Sequence, residues 1–116
     1  MKTDAWIVHI CSNQSWQQAR IAGQYSAPSL ETEGFIHCSR PDQILKVANH
    51  YYPARNDLVL LWIDPEILAA ELRWEPVEAD IFPHIYGPVN LEAVQSTTEF
   101  LPDSAGVFRN LPRLDP

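Results

Sequence analysis

Basic residues are scarce in this chain. Its 116 residues carry 8 Lys and Arg against 15 Asp and Glu, a formal charge of −7. That balance repels a phosphate backbone and argues against nucleic acid as a partner. Long apolar runs are missing as well. None approaches the roughly 20 residues that cross a bilayer, so no membrane association is expected. The opening Met1-Lys2-Thr3-Asp4 lacks the basic and apolar sections of a signal peptide. Cysteine stops at two, Cys11 and Cys38, too few for a disulfide framework and suited to a reducing, cytoplasmic setting. Glycine stops at four, and no Gly-rich nucleotide loop is present. Gly-x-Ser-x-Gly, Cys-x-x-Cys and His-Glu-x-x-His are absent too.

What is present is ordinary for a globular protein, with 46% hydrophobic and 20% charged residues. A chain this long buries about two-thirds of its unfolded surface, enough for one core. A single domain over 1–116 is expected, with about 102–116 as an irregular tail wrapping the surface. Ala5 to Cys11 reads as a strand, Trp6, Val8 and Ile10 on one face and Ile7, His9 and Cys11 on the other. A helix follows from Asn13, capped by Ser12 or Asn13 and stopped at Gly23, burying Trp16 and Ala19 with the stem of Arg20. Residues 24–33 read as an exposed loop.

Gly34 to Cys38 is a second strand, Phe35 and His37 sharing a face. Ser39 and Asp42 have the spacing of an acidic capping box. Behind them Ile44, Leu45, Ala48, Tyr51 and Tyr52 recur at helical spacing up to Pro53. Leu58 to Ile63 is apolar throughout, the pattern of a strand covered on both faces. Asp64-Pro65-Glu66 predicts a short helix. Leu72, Trp74 and Val77 predict a strand with one wet face. Phe82 to Pro88 is either a rigid connector or a ligand wall, with His84 on its rim. A last strand lies within Val89 to Phe100, although Asn90 to Val94 also fits a helical turn.

Histidine is the reactive residue that needs explaining. His9 and His37 stand on apolar strands, where a buried imidazole must find partners for both nitrogens. Each is either a hydrogen-bonded core residue or, if the strands are neighbours, part of a shared cleft. Ser39 at a helix start can hold an anion beside them, or it is only the cap. Tyr86, next to the turn at Gly87-Pro88, can stack on a flat ring. A metal set of His9, Cys11, His37 and Cys38 fails because adjacent strand residues point to opposite faces, so no metal is expected.

The strings Ile7-Val8-His9-Ile10, Gly34-Phe35-Ile36-His37-Cys38-Ser39, Leu61-Trp62-Ile63-Asp64 and Leu72-Arg73-Trp74-Glu75 occur in that order. With Phe82-Pro83-His84-Ile85-Tyr86-Gly87-Pro88 and Asn90-Leu91-Glu92-Ala93-Val94, they resemble the small, mostly bacterial domain-of-unknown-function family 952. That family is similar in fold to the ADP-ribosyltransferase superfamily, in the two-histidine branch that also holds RNA 2′-phosphotransferases.

The resemblance implies an α+β, ADP-ribosylation-like fold, with split antiparallel-rich sheets and two or three short helices. It also implies a cleft for NAD or a related nucleotide. His9 and His37 would be catalytic, and Ser39, Tyr86 and Gly87 would join them in cofactor binding. The late glutamate of many such transferases has only positional candidates, Glu92 and Glu99; in the two-histidine branch the place is often apolar, as Ile85, Val89 or Val94 would be. Arg20, Arg40, Arg55 and Arg73 are scattered, which speaks against an RNA substrate. An ADP-ribosyl-transferring or -cleaving enzyme is thus expected. The alternatives are a catalytically inactive nucleotide or small-acid binding module, or a protein-interaction domain with structural histidines.

Overall fold

The computed structural model describes residues 6–113. Its architecture is α+β, with antiparallel sheets and few short helices. The first sheet has the order β1 (Ile7–Ser12), β4 (Leu58–Ile63), β8 (Val94–Phe100), all antiparallel. Every residue of β4 is buried, because both faces of this sheet are covered. On one face Ile7, Cys11, Val59, Leu61 and Ile63 join a core that includes Tyr25, Ile36, Ile85 and Val89. On the other, Val8, Ile10, Leu58, Leu60 and Trp62 pack with Ile44, Ala48, Phe100 and Phe108. The alternation read in β1 therefore holds from Trp6 to Cys11; Ala5 lies outside the described residues.

α1 (Asn13–Ala22) starts and ends where its caps dictate. The Ser12 hydroxyl accepts from the Ser15 amide, and Gly23 closes the helix in the left-handed region at φ 90°. Trp16 and Ala19 face the core, whereas Arg20 is exposed. The segment expected to be an exposed loop instead holds β2 (Gln24–Tyr25) and α2 (Pro28–Thr32). β2 pairs with β7 (Val89–Asn90), which carries Tyr25 into the core. Pro28 sits in the first turn of α2, where its missing N–H costs nothing.

The second sheet runs β3 (Ile36–His37), β6 (Asp80–Tyr86), β5 (Glu71–Val77). The stretch expected to be a connector or wall is thus a central strand. Pro83 is tolerated there because it needs no N–H: the Cys38 amide donates to its carbonyl, and β3 has already ended. Beyond Cys38, the side chains of Gln43 and Arg40 donate to the Ile81 carbonyl in place of a strand. The helix expected from Ser39 begins later. Arg40 is its cap residue, its amide donating to the Gln43 side chain, ahead of a 3₁₀ turn (Pro41–Gln43) and α3 (Ile44–Tyr51).

Asp64-Pro65-Glu66 forms a turn and no helix, its Asp64 carboxylate accepting from the Glu66 amide. Leu91–Ala93 is one 3₁₀ turn before β8. The tail is irregular, as its prolines require, but it does more than wrap the surface. Phe108 is 2% exposed and stacks on Phe100 with ring centroids 4.6 Å apart. Asn49 clamps its backbone at both ends, donating to the Phe108 carbonyl and accepting from its amide, each at 2.8 Å. No described helix is long and apolar enough to cross a membrane.

Removing this plug leaves a cavity between α3 and the first sheet. Phe108→Ala is expected to cost roughly 3 kcal/mol or more in urea unfolding, as for other buried aromatic truncations. A loss below 1 kcal/mol, on the order of a surface substitution, would mean that the tail contributes nothing to the second core.

Candidate functional site

The two sheets meet along one seam. Val8 and Ser39 exchange backbone hydrogen bonds, each 2.8 Å, joining β1 to the end of β3. His9 closes the same seam from the side. Its Nδ1 lies 2.6 Å from the His37 carbonyl and its Nε2 lies 2.7 Å from the Tyr25 hydroxyl. A carbonyl only accepts, so Nδ1 carries the proton, and Nε2 accepts from Tyr25. Both ring nitrogens are satisfied and the residue is 7% exposed. Burial pushes the imidazole down to about 4, against the support of the His37 carbonyl, so His9 is neutral near pH 7. The Tyr25 oxygen also meets the Cys11 thiol, and burial raises both groups, the thiol to about 12. Cys38 is raised by burial as well. Neither cysteine is an available thiolate.

The reactive side chains gather on the outer face of the second sheet. Residues paired directly across strands share a face, so His37, His84 and Arg73 form one row and Tyr86 and Glu71 the next. His84 Nδ1 donates to Glu75 Oε1 at 2.8 Å, and the Tyr86 hydroxyl donates to the same oxygen at 2.5 Å. These two bonds, Tyr86 first, hold the Glu75 carboxyl below its usual range, while Tyr86 is raised by its bond to the carboxylate. Oε2 of Glu75 takes no partner among the described residues, and neither does Nε2 of His84. Among the described residues only Trp6 Nε1 is a sealed, unpaired polar side-chain atom, so His84 Nε2 is not completely sealed, although the residue is 4% exposed.

Phe35 organises this face. It stacks on His84 at 4.1 Å and 19°, meets His37 edge-on at 4.8 Å and lies 5.4 Å from Tyr86. His37 and His84 stand 5.5 Å apart at 80°. The His37 side chain is 54% exposed and its Nε2 reaches Glu33 at 3.1 Å. The Arg73 guanidinium covers the Tyr86 ring at 4.3 Å while paired with Glu71.

The expected pair of His9 and His37 is therefore split. The two touch through a backbone carbonyl, but one imidazole lies in the core and the other at the surface. Ser39 sits in the seam, buried, and does not cap a helix. Tyr86 reaches the outer face, and Gly87 beside it is required for packing: a Cβ there would fall 2.9 Å from the Cβ of Ala70. His84 is not a rim residue; at 4% exposure it is the buried partner of the partly exposed Glu75. Glu92 and Glu99 stand elsewhere, in the 3₁₀ turn and in β8 opposite Val59. Glu75, Arg73 and Phe35 were not expected as site residues, although Glu71, Arg73 and Glu75 recur with the period of one strand face. No group of three or more described His, Cys, Asp or Glu residues can hold a metal ion.

The family profile described as "Protein of unknown function (DUF952)" matches residues 10–97, and the chain belongs to that family. Among solved structures, the crystal structure of protein CC0527 from Caulobacter crescentus is similar, with 29% identity and a TM-score of 0.82. The alignment covers 90% of this chain and 93% of that one. The solution structure of the same protein aligns with a TM-score of 0.79 at 29% identity, over 90% of this chain and 92% of that one. No curated protein matches the chain.

The seam makes a pH prediction. An unfolded histidine titrates near 6.5 and the folded His9 near 4, so between these values the unfolded chain binds the additional proton. The stability that His9 contributes is whole above pH 6.5 and falls as pH drops toward 4, by about 3 kcal/mol in all. Urea midpoints for wild type and His9→Gln should stand furthest apart, by a constant gap, above pH 6.5 and converge toward pH 4. Parallel curves would place no linkage on this residue. Tyr25→Phe leaves His9 Nε2 without its donor and is expected to cost about 1–3 kcal/mol in the same measurement.

Proposed function

We propose that the outer face of the β3–β6–β5 sheet is an acid–base site for a nucleotide-type ligand, NAD or a relative, and that it cleaves or transfers the ADP-ribosyl unit. The observation that carries this reading is the His84–Glu75 pair with its free Nε2. An imidazole whose Nδ1–H is held by a carboxylate presents Nε2 as a base, and the carboxylate stabilises the imidazolium that forms. In the proposed step an attacking hydroxyl, of water or an acceptor, loses its proton to Nε2 as its oxygen bonds to ribose C1′. The C1′–nitrogen bond breaks, its electron pair staying with the ring nitrogen, and nicotinamide leaves neutral. The open Oε2 of Glu75 supplies negative charge near the cationic transition state. His37, exposed beside the pair, returns the proton to solvent.

The aromatic edges of Phe35 and Tyr86 suit a planar ring, and Glu33, Glu71 and Glu75 suit its positive charge. Arg73 is the guanidinium nearest the pair for a phosphate. His9 and Ser39 act in this reading as positioning residues, through the His37 carbonyl and the Val8 bridge. Two antiparallel sheets joined at a seam support the likeness to an ADP-ribosylation-like fold. Two free, buried thiols support a reducing cytoplasmic setting. A second reading, binding without turnover, is favoured by one observation: the late glutamates Glu92 and Glu99 are away from this face.

The test is a proton–nitrogen NMR titration with NAD, ADP-ribose and nicotinamide. Shifts are expected around His37, His84 and Tyr86, with product nicotinamide growing in over time. His84→Ala and Glu75→Gln should each lower turnover about 10²–10⁴-fold without unfolding the chain. Shifts without product would favour the binding module, and turnover unchanged in both variants would remove the assignment.

A further inference from the structure

Among the described residues β5 lies at the open edge of the second sheet, with β6 on one side and no strand on the other. Which backbone groups it leaves free follows from the ladder. The Pro83 carbonyl accepts from Cys38, so Pro83 turns its peptide groups toward β3. Peptide direction alternates along a strand, so His84 turns toward β5 and bonds with Arg73, its direct partner. Arg73 and Glu75 therefore point inward to β6, while Leu72, Trp74 and Pro76 point outward. The outward edge offers N–H and C=O at Leu72 and Trp74 but only C=O at Pro76. Beside it lies an apolar patch, for Trp74 and Ile81 are each 49% exposed and stand on the same face.

We infer that this edge pairs with β5 of a second copy of the chain, antiparallel, with Trp74 facing Trp74 across the two-fold axis. In that register the two Trp74 residues exchange N–H and C=O. Leu72 N–H donates to the Pro76 carbonyl of the other copy, while the Leu72 carbonyl stays with solvent because proline has no N–H to return. The charges match as well: Arg73 falls opposite Glu75 of the other copy, and Glu71 falls opposite Val77. Shifting the axis to Arg73 would set arginine against arginine, and glutamate against glutamate is avoided in the chosen register. The tryptophans and Ile81 then cover one another on the apolar face, and the sheet continues through both copies. On the opposite face, Arg73 of the second copy arrives beside Glu75. That consequence rests on the reading of the face as a ligand site, whereas the pairing itself stands on the edge alone. A single strand pair buries little area, so the dimer is expected to be weak and concentration-dependent.

Sedimentation velocity over a dilution series tests this. The wild-type chain, 13.2 kDa as a monomer, is expected to shift toward twice that mass as concentration rises. Trp74→Lys, which sets like charges face to face at an exposed position, should remain a monomer throughout with an unchanged circular dichroism spectrum. Trp74→Phe should keep most of the association. A wild-type chain that stays monomeric at NMR concentrations overturns the proposal, and leaves the edge to an extended segment of some other protein. A dimer that persists unweakened in Trp74→Lys overturns it too, since the contact then lies elsewhere. Repeating the NAD titration on the same samples separates the two ideas. Association without ligand shifts retains the pairing and removes the site, and shifts in a chain that never associates do the reverse.

Discussion

The Val8–Ser39 bridge is the interaction on which the arrangement rests. β3 is only two residues long, too short to hold a sheet in place by its own ladder. The bridge fixes it to β1, and His9 adds a third bond from its ring to the His37 carbonyl. A leucine at position 9 would fill the volume but leave that carbonyl without its donor and take from the Tyr25 hydroxyl the nitrogen it donates to, at a cost larger than the apolar gain. The histidine is where it is because two sheets meet there. Everything outward of the seam, including the direction in which His37 points, inherits its geometry from it.

Much of the first sheet was legible because its chemistry is local. The continuous apolar run of β4 requires cover on two sides, and the structure supplies it. The alternation of β1 assigns its side chains to the two cores correctly, and the Ser12 and Gly23 signals bound α1. The second sheet was harder to read because its determinants are distant in sequence. Pro83 and Pro88 mark a connector by any local rule, and only the early end of β3 makes Pro83 acceptable in a central strand. Tyr25 sits among small polar residues and a proline, so nothing nearby announces that pairing with β7 will bury it. His84 looks like a rim residue until Phe35, from another strand, stacks over it. Ser39 has the spacing of a cap, but its backbone is already committed to Val8, so the cap moves on to Arg40.

His9, conspicuous in the sequence, and His84, which is not, thus differ in kind. His9 has every hydrogen-bonding capacity filled and a suppressed basicity, the condition of a structural group. His84, less conspicuous, has one nitrogen fixed by an ionised partner and the other without a partner among the described residues, the arrangement that the proposed acid–base role requires. The difference lies in the partners: a carbonyl and a phenol in one case, a carboxylate in the other. Family membership places the chain among relatives of unknown function, so these local environments are what distinguish its residues.

Asn49 holding the backbone of Phe108 has a consequence for the chain's integrity. Its carboxamide reproduces with a side chain the paired donor and acceptor of a neighbouring strand, and the Phe108 ring fills a socket against Phe100. The tail is in effect a tethered ligand, its local concentration set by the short link that runs from Phe100. A nick in that link would leave the two fragments bound, and the free tail would become a peptide that competes for its own socket.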